Sequence, residues 1–303
     1  MPVEWAIHPA DRDDLRDLLD SGLLVPVSGG VDAARGLAGR LPPPVDREIV
    51  FSRLYWGDAF CHFLLPTRAE RRQAEAAASE YGLSLTLATP PLADPELDGL
   101  REVLGWLGAG EEVEINDWGV LRLIGAEFGH LQPVLGRALL KALKDPRREG
   151  GDRQPAVSKA LAGILRRQGV HCVTADVPAD PGEFELAVAF PYQFVSSGRI
   201  CLIGSTSLDT AQRFSLAAPC RRECRDFMLD LQTPDWHLVQ KGNTVFAPWK
   251  SDQEGQFAAA LSEGRVARGI YEAGVDRDRR YLRGQFGRLA ARPDMIPLTV
   301  LPA

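Results

Sequence analysis

The 303-residue chain sets 35 lysines and arginines against 41 aspartates and glutamates, a formal charge of −6, with 45% hydrophobic and 25% charged residues. That balance is ordinary for a soluble globular protein with a sizeable core, and it argues against a broad electrostatic footprint for nucleic acid. Short basic clusters at 147–148, 221–222 and 277–280 read as solvated surface. The first residues are acidic where a signal peptide needs a basic and then an apolar run, and no apolar stretch approaches the ~18 residues of a membrane span, so a cytoplasmic address is expected.

In chain order, VEWAIHPA (3–10) reads as an opening strand, followed by a charged helix in which Leu15, Leu18 and Leu19 recur at helical spacing and Gly22 stands as a C-cap. A Gly- and Pro-bearing segment follows, with the prolines at 42–44 marking a loop. REIVFSRLYWGDAFCHFLLP gives a β-like apolar run, a turn at Gly57 and Asp58, and Cys61 just beyond. RAERRQAEAAASEYG is a helix stopped by Gly82, and LSLTLATPP a short strand ended by prolines. The next helix, DPELDGLREVLGWLG, takes Asp94 as N-cap and Pro95 in its first turn.

A strand at 113–116 with a short helix after it, and the apolar-then-helical LQPVLGRALLKALKD, precede an exposed loop at 145–156. VSKALAGILRRQG is a helix, GVHCVTADVP a buried strand and FELAVAFPYQFV a further strand. HLVQKGNTVFAPW reads as a hairpin, FAAALSEGRVARGIYEAG as helix then strand, and YLRGQFGRLAARPD as the last helix. The apolar tail MIPLTVLPA is expected to be docked. Seven or eight strand–helix units of this length predict a TIM-barrel-like α/β barrel, complete or modified, as a single domain spanning 1–303 with a cysteine-bearing insert at about 199–226.

The chain has five cysteines, three of them between residues 199 and 224. Eighteen residues separate Cys201 from Cys220, and three separate Cys220 from Cys224. In a chain with no export signal, thiols gathered this way point to a metal or cluster rather than a disulfide. Cys61 follows a strand and a turn, at the barrel end where such folds place their chemistry, and Cys201 follows FPYQFVSSGRI in a similar way. Were both to converge on Cys220 and Cys224, the four thiolates would suit a four-iron cluster or a structural zinc. Cys172, between valines in an apparent strand, reads as inert core. Cys220 and Cys224 lie among Arg221, Arg222 and Glu223, a polar context unlike a core.

Glu114, Asn116 and Asp117 stand at a strand end, as does Asp176, and each reads equally as a substrate group, a cap or a turn residue. His62 reads as an exposed imidazole beside Cys61, and Arg199 and Arg221 as surface charges or as compensation for thiolate charge. The sequence has no G-x-S-x-G elbow, no H-E-x-x-H helix, no P-loop and no G-x-G-x-x-G fingerprint.

LYWGDAFC, VEINDWGVLRL, HLVQKGNTVFA and the late set Cys201, Cys220 and Cys224 resemble the UbiU/UbiV family, within the superfamily of collagenase-like (U32) peptidases. The length is similar to that of the shorter UbiV-like branch. The resemblance implies a barrel holding one oxygen-sensitive 4Fe-4S cluster on one early and three late cysteines, which map onto Cys61, Cys201, Cys220 and Cys224. It also implies a subunit of an oxygen-independent hydroxylase, acting on a quinone precursor or on RNA bases, with a UbiU-like heterodimer partner; of these, ubiquinone biosynthesis with an apolar aromatic substrate is expected. The chain departs from the pattern in its longer gap between Cys201 and Cys220, and in PVLGRALLKA, which lacks the family's His and Asn. Two other classes stand beside this one: a non-catalytic, zinc-stabilised interaction subunit, and a peptidase-like hydrolase.

Overall fold

The computed structural model describes residues 2–33, 37, 49–143, 157–201, 203–205, 207–215, 218–225, 228–232 and 237–276. The loops expected at 42–44 and 145–156, the last helix and the tail lie outside them.

Eight parallel strands close into a barrel. In order around it they are β1 (Glu4–Ile7), β4 (Val50–Gly57), β5 (Ser84–Thr89), β6 (Glu112–Ile115), β7 (Gln132–Leu135), β8 (Cys172–Ala175), β9 (Glu185–Phe190) and β14 (Arg268–Tyr271), which pairs again with β1. Helices α1 (Arg12–Asp20), α2 (Arg68–Tyr81), α3 (Leu97–Leu104), α4 (Trp118–Glu127), α5 (Arg137–Ala142), α6 (Lys159–Arg167) and α8 (Ser251–Ser262) lie among the connections, and a short α7 (Thr210–Arg213) sits in the cysteine-bearing segment. The barrel is modified: no helix separates β8 from β9, and an antiparallel hairpin, β2 (Leu24–Val27) with β3 (Gly30–Ala33), extends the sheet beside β4.

Local chemistry explains why these elements begin and end where they do. Thr67 and Glu70 form a reciprocal capping box at the start of α2, and Gly82 ends it in the left-handed conformation, φ 69°. Asp11 caps α1, and Asp117 caps α4 by accepting from the Gly119 and Val120 N–H groups. Asp94 is not a helix N-cap. It lies inside a short 3-10 turn that precedes α3, and the Glu96 carboxylate accepts from the N–H of Ala93.

FELAVAFPYQFV is two strands rather than one. β9 belongs to the barrel; Pro191 has no N–H to continue the ladder, and β10 (Tyr192–Ser197) crosses into a second sheet. That sheet, in the order β10, β13 (Thr244–Pro248), β12 (His237–Lys241) and β11 (Leu229–Gln232), is antiparallel throughout. It caps the barrel's C-terminal mouth. Phe194, Met228, Val239 and Phe246 from the cap form one buried cluster with Phe60 and with the small barrel-lining residues Ala6, Ala88, Ala187 and Ala189. Phe60 stacks on Phe194 with ring centroids 4.3 Å apart and meets Phe246 edge-on at 5.7 Å.

The opposite end of the barrel is closed by charge. Arg268 makes a bidentate pair with Glu112, both contacts at 2.8 Å, and also pairs with Glu4. Arg53 bonds Glu4 at 2.9 Å and approaches Glu112 at 3.2 Å, while the Thr86 hydroxyl donates to Glu112 at 2.8 Å. Paired and hydrogen-bonded on every side, these ions are tolerable in a place where a lone one would be very costly. Among the described residues no helix is long and apolar enough to cross a membrane.

Candidate functional site

Two constellations share the capped mouth. The first is a set of ionic and polar residues at strand ends. Glu114, Thr174 and Asn116 interlock, with the Thr174 hydroxyl donating to Glu114 at 2.9 Å and the Asn116 amide at 3.3 Å. Arg137, at the start of α5, is almost fully enclosed. Its guanidinium lies 2.8 Å from Glu272 and 3.5 Å from Asp176, and over the rings of Phe60 and Phe246 at 5.1 and 5.5 Å. His8, just past β1, faces Glu272 through Nδ1 at 3.4 Å and the Gly57 carbonyl through Nε2 at 3.2 Å.

Burial penalises every charge here, and the partners decide which survive. It pushes Glu114 upward, more than Arg137 and the Thr174 hydroxyl can reverse. Glu272 goes the other way: Arg137 and His8 outweigh burial and hold it at about 2. His8 is raised, because Glu272 outweighs the burial that would discharge it. For Glu272 the folded value lies below the ordinary 4.5, so its stabilisation is present above that pH and is lost as pH falls from about 4.5 towards 2. Unfolding midpoints in denaturant should therefore drop steeply across that window, and Glu272→Gln should flatten the drop; an unchanged slope in the variant would contradict the assignment.

The second constellation is the thiols. Cys61 lies in the loop four residues past β4, where the Asp58 carboxylate accepts from the Phe60 and Cys61 N–H groups at 2.8 and 2.7 Å. Cys201 lies past β10, in the cap and not at the end of a barrel strand as expected. Cys220 and Cys224 flank Arg222, whose φ of 57° makes it the one non-glycine residue with positive φ among those described. Cys61, Cys201 and Cys224 are buried and Cys220 is half-buried, so the polar sequence around the last two does not leave them open to solvent.

The sulfurs gather at one place. A Cβ added to Gly204 would stand 2.8 Å from the Cys220 sulfur and 3.2 Å from that of Cys201. Cys61 senses the charge of Cys201 and Cys224, and Cys224 that of Cys201 and Cys220. The Gly204 N–H donates to the Cys201 sulfur at 3.1 Å, and the Arg222 N–H to that of Cys220 at 3.3 Å. Burial lifts Cys61 and Cys201, and lifts Cys224 to about 12 although Lys241 opposes it. Among the described residues no three His, Cys, Asp or Glu side chains are gathered tightly enough to hold a single metal ion.

Between α1, α2 and the end of β4 opens a cavity of about 340 Å³, with Cys224, Arg222 and Lys241 on the cap side, and Leu54 and Trp56 of β4 on the barrel side beside Leu15 of α1 and Leu64 of the turn after β4.

Other expectations resolve individually. Cys172 is buried in the barrel interior, as the core reading holds. His62 is not exposed: its side chain is 7% accessible, packs on Phe63 and faces Glu96 at 3.8 Å. Arg199 pairs with Glu96 at 2.6 Å, and Arg221 is exposed. Asp176 accepts from the Phe194 N–H at 2.7 Å and so ties the cap to the barrel. His8, Arg137, Glu272 and Lys241 escape sequence reasoning. The strand-end rule that singled out Glu114 and Asp176 applies equally to His8 and Glu272 and would have found them; Arg137 and Lys241 carry no comparable signal.

Fold and site together define a class: a closed eight-stranded parallel barrel whose C-terminal mouth is covered by a thiol-bearing antiparallel cap. No protein-family profile and no curated protein matches the chain. Among solved structures it is similar to the U32 peptidase Mk0906, at 13% identity and a TM-score of 0.39, covering 90% of this chain and 92% of that one. It is also similar to a glycoside hydrolase family 18 N-acetylglucosaminidase from Paenibacillus barengoltzii, at 14% identity and a TM-score of 0.30, covering 94% and 99%. A third similarity is to the chitinase ChiW from Paenibacillus sp. str. FPU-7, at 10% identity and a TM-score of 0.28, covering 80% of this chain and 40% of that one. At such identities and scores these likenesses bear on neither family nor activity.

Proposed function

We propose that this chain is a cytoplasmic iron–sulfur protein of the U32 superfamily, resembling UbiV, and a subunit of an oxygen-independent hydroxylase in ubiquinone biosynthesis with a UbiU-like partner. The observation that carries the reading is the approach of Cys61, from the loop after β4, to Cys201, Cys220 and Cys224 of the cap segment, with backbone N–H groups directed at two of the sulfurs. The donor set fits a 4Fe-4S cluster. Soft thiolates suit iron–sulfur chemistry, and N–H donors to the sulfurs are one of the protein's means of setting a cluster's potential. A four-iron cluster binds each thiolate to a different iron, so its ligands stand further apart than those of one ion. Cys61, Cys201, Cys220 and Cys224 would hold the group, which when bound supplies one-electron transfer.

The cavity bordered by Cys224 then serves as the substrate cleft. Its apolar barrel side accepts an aromatic ring, and α1 and α2 wall it from water. In such a hydroxylation an aromatic C–H becomes C–OH while an oxygen-atom donor other than O₂ is reduced.

Anaerobic purification with iron, sulfide and zinc analysis tests the reading. A brown protein with about four irons and four sulfides per chain is expected, and Cys220→Ala should lose them. Stoichiometric zinc, no metal in any preparation, or a Cys220→Ala protein with full iron content would remove the cluster assignment.

A further inference from the structure

The substrate cleft has a charge with nothing to match it. Lys241, the last residue of β12, reaches the cavity wall half-buried, and among the described residues its ammonium makes no hydrogen bond and no ion pair. Its field is felt by Cys224, His8 and Glu272. Glu272, however, is already held by Arg137 at 2.8 Å and by His8 at 3.4 Å. Of the other charged residues that line the cavity, Arg12 and Asp13 are exposed to water, and the rest are occupied. Asp11 and Asp58 accept backbone N–H groups, and Glu70 closes the cap of α2 and stands 3.6 Å from Arg222. Arg222 also donates to the Phe63 carbonyl. Among the described residues that line the cavity, Lys241 is the half-buried cation without a paired anion, an arrangement that an incoming negative group would relieve.

We propose that the cavity binds a small aromatic acid: an aryl body against Leu15, Leu54, Trp56 and Leu64, and a carboxylate on the Lys241 ammonium. At about 340 Å³ the space is at the small end of ligand pockets, enough for a one-ring molecule with a short acidic arm. Asp11, Asp58 and Glu70 do not repel such a ligand strongly, because they face N–H and guanidinium donors, and Asp13 is exposed to water. Lys241 thereby selects among apolar ligands by charge, a task the apolar wall cannot perform. The inference takes from the hydroxylase reading only the role of the cavity as substrate cleft; the binding event needs no cluster.

The test is calorimetric titration of the anaerobic wild type and of cluster-free Cys220→Ala with phenylacetate, 3-phenylpropionate and the neutral phenylacetamide. The acids are expected to bind at least about tenfold more tightly than the amide, as a charge-assisted contact in a half-buried site allows. Lys241→Met should erase that preference, and Lys241→Arg should retain most of it. Equal affinity for acid and amide, a preference that survives in Lys241→Met, or no binding by any of the three overturns the proposal. A preference for the acids in a protein that never holds iron would leave this inference standing and remove the hydroxylase reading. Iron at full stoichiometry with no preference would do the reverse.

Discussion

Replacing Arg137 by methionine is expected to lower the unfolding free energy by about 3–5 kcal/mol, the range for breaking a buried ion pair from one side. The guanidinium holds Glu272 and Asp176 and lies on Phe60 and Phe246, joining barrel and cap in one contact set. Methionine approximates the stem and leaves the carboxylates enclosed without their cation. Glu272 then keeps only the more distant His8 pairing at 3.4 Å, and its under-matched charge loosens the cap. Urea unfolding measures the loss, and adding Glu272→Gln should recover part of it by removing the stranded charge. A loss below about 1 kcal/mol would show that the cap's apolar packing holds the mouth without the ion pair.

Gly204→Val is expected to act on the thiols and to spare the barrel. A Cβ at this position would stand 2.8 and 3.2 Å from the Cys220 and Cys201 sulfurs, too close for either to stay in place. If the cluster reading holds, iron and sulfide content should fall more than tenfold, while the far-ultraviolet circular dichroism keeps its wild-type shape and the local overpacking costs about 1–3 kcal/mol. Gly198→Ala is the control, because a Cβ there meets only the Ile200 carbonyl at 3.8 Å. Full iron content in Gly204→Val would mean that the two sulfurs do not act as ligands from this geometry.

What could be read in advance followed the range of the forces involved. α2 was legible because its start, its run of helix formers and its stop at Gly82 are all local in sequence. The barrel strands were legible as apolar runs punctuated by Gly and Pro, enough to count units and infer closure. The division of FELAVAFPYQFV was hidden, because β10 is apolar for the sake of the cap and β9 for the sake of the barrel, and one-dimensional hydrophobicity does not say which sheet is being served. The β2–β3 hairpin was missed in a segment whose glycines and proline read as loop. The ionic floor was invisible for a stronger reason: Glu4 and Arg268 stand 264 positions apart and are ordinary charged residues until β1 and β14 meet. The same holds for His62, which sequence leaves exposed and packing against Phe63 and Glu96 encloses. For the cysteines, spacing picked out the three late ones, and only the fold brings Cys61 within electrostatic reach of Cys201 and Cys224.

The meeting of β1 with β14 also sets a timetable. A parallel barrel has no free edge only when its first and last strands have paired, and here the last strand begins at Arg268. During synthesis at about 5–20 residues per second, β1 therefore waits on the order of tens of seconds for its second neighbour. Until then the ribosome-bound barrel carries open edges at β1 and β9, and Glu4 and Glu112 lack the guanidinium that later joins them. So long-range a closing contact is slow to form and late to reward the chain. The nascent protein is thus most exposed to wrong pairing in the interval before Arg268 emerges, and a molecular chaperone acting on it would find its task there.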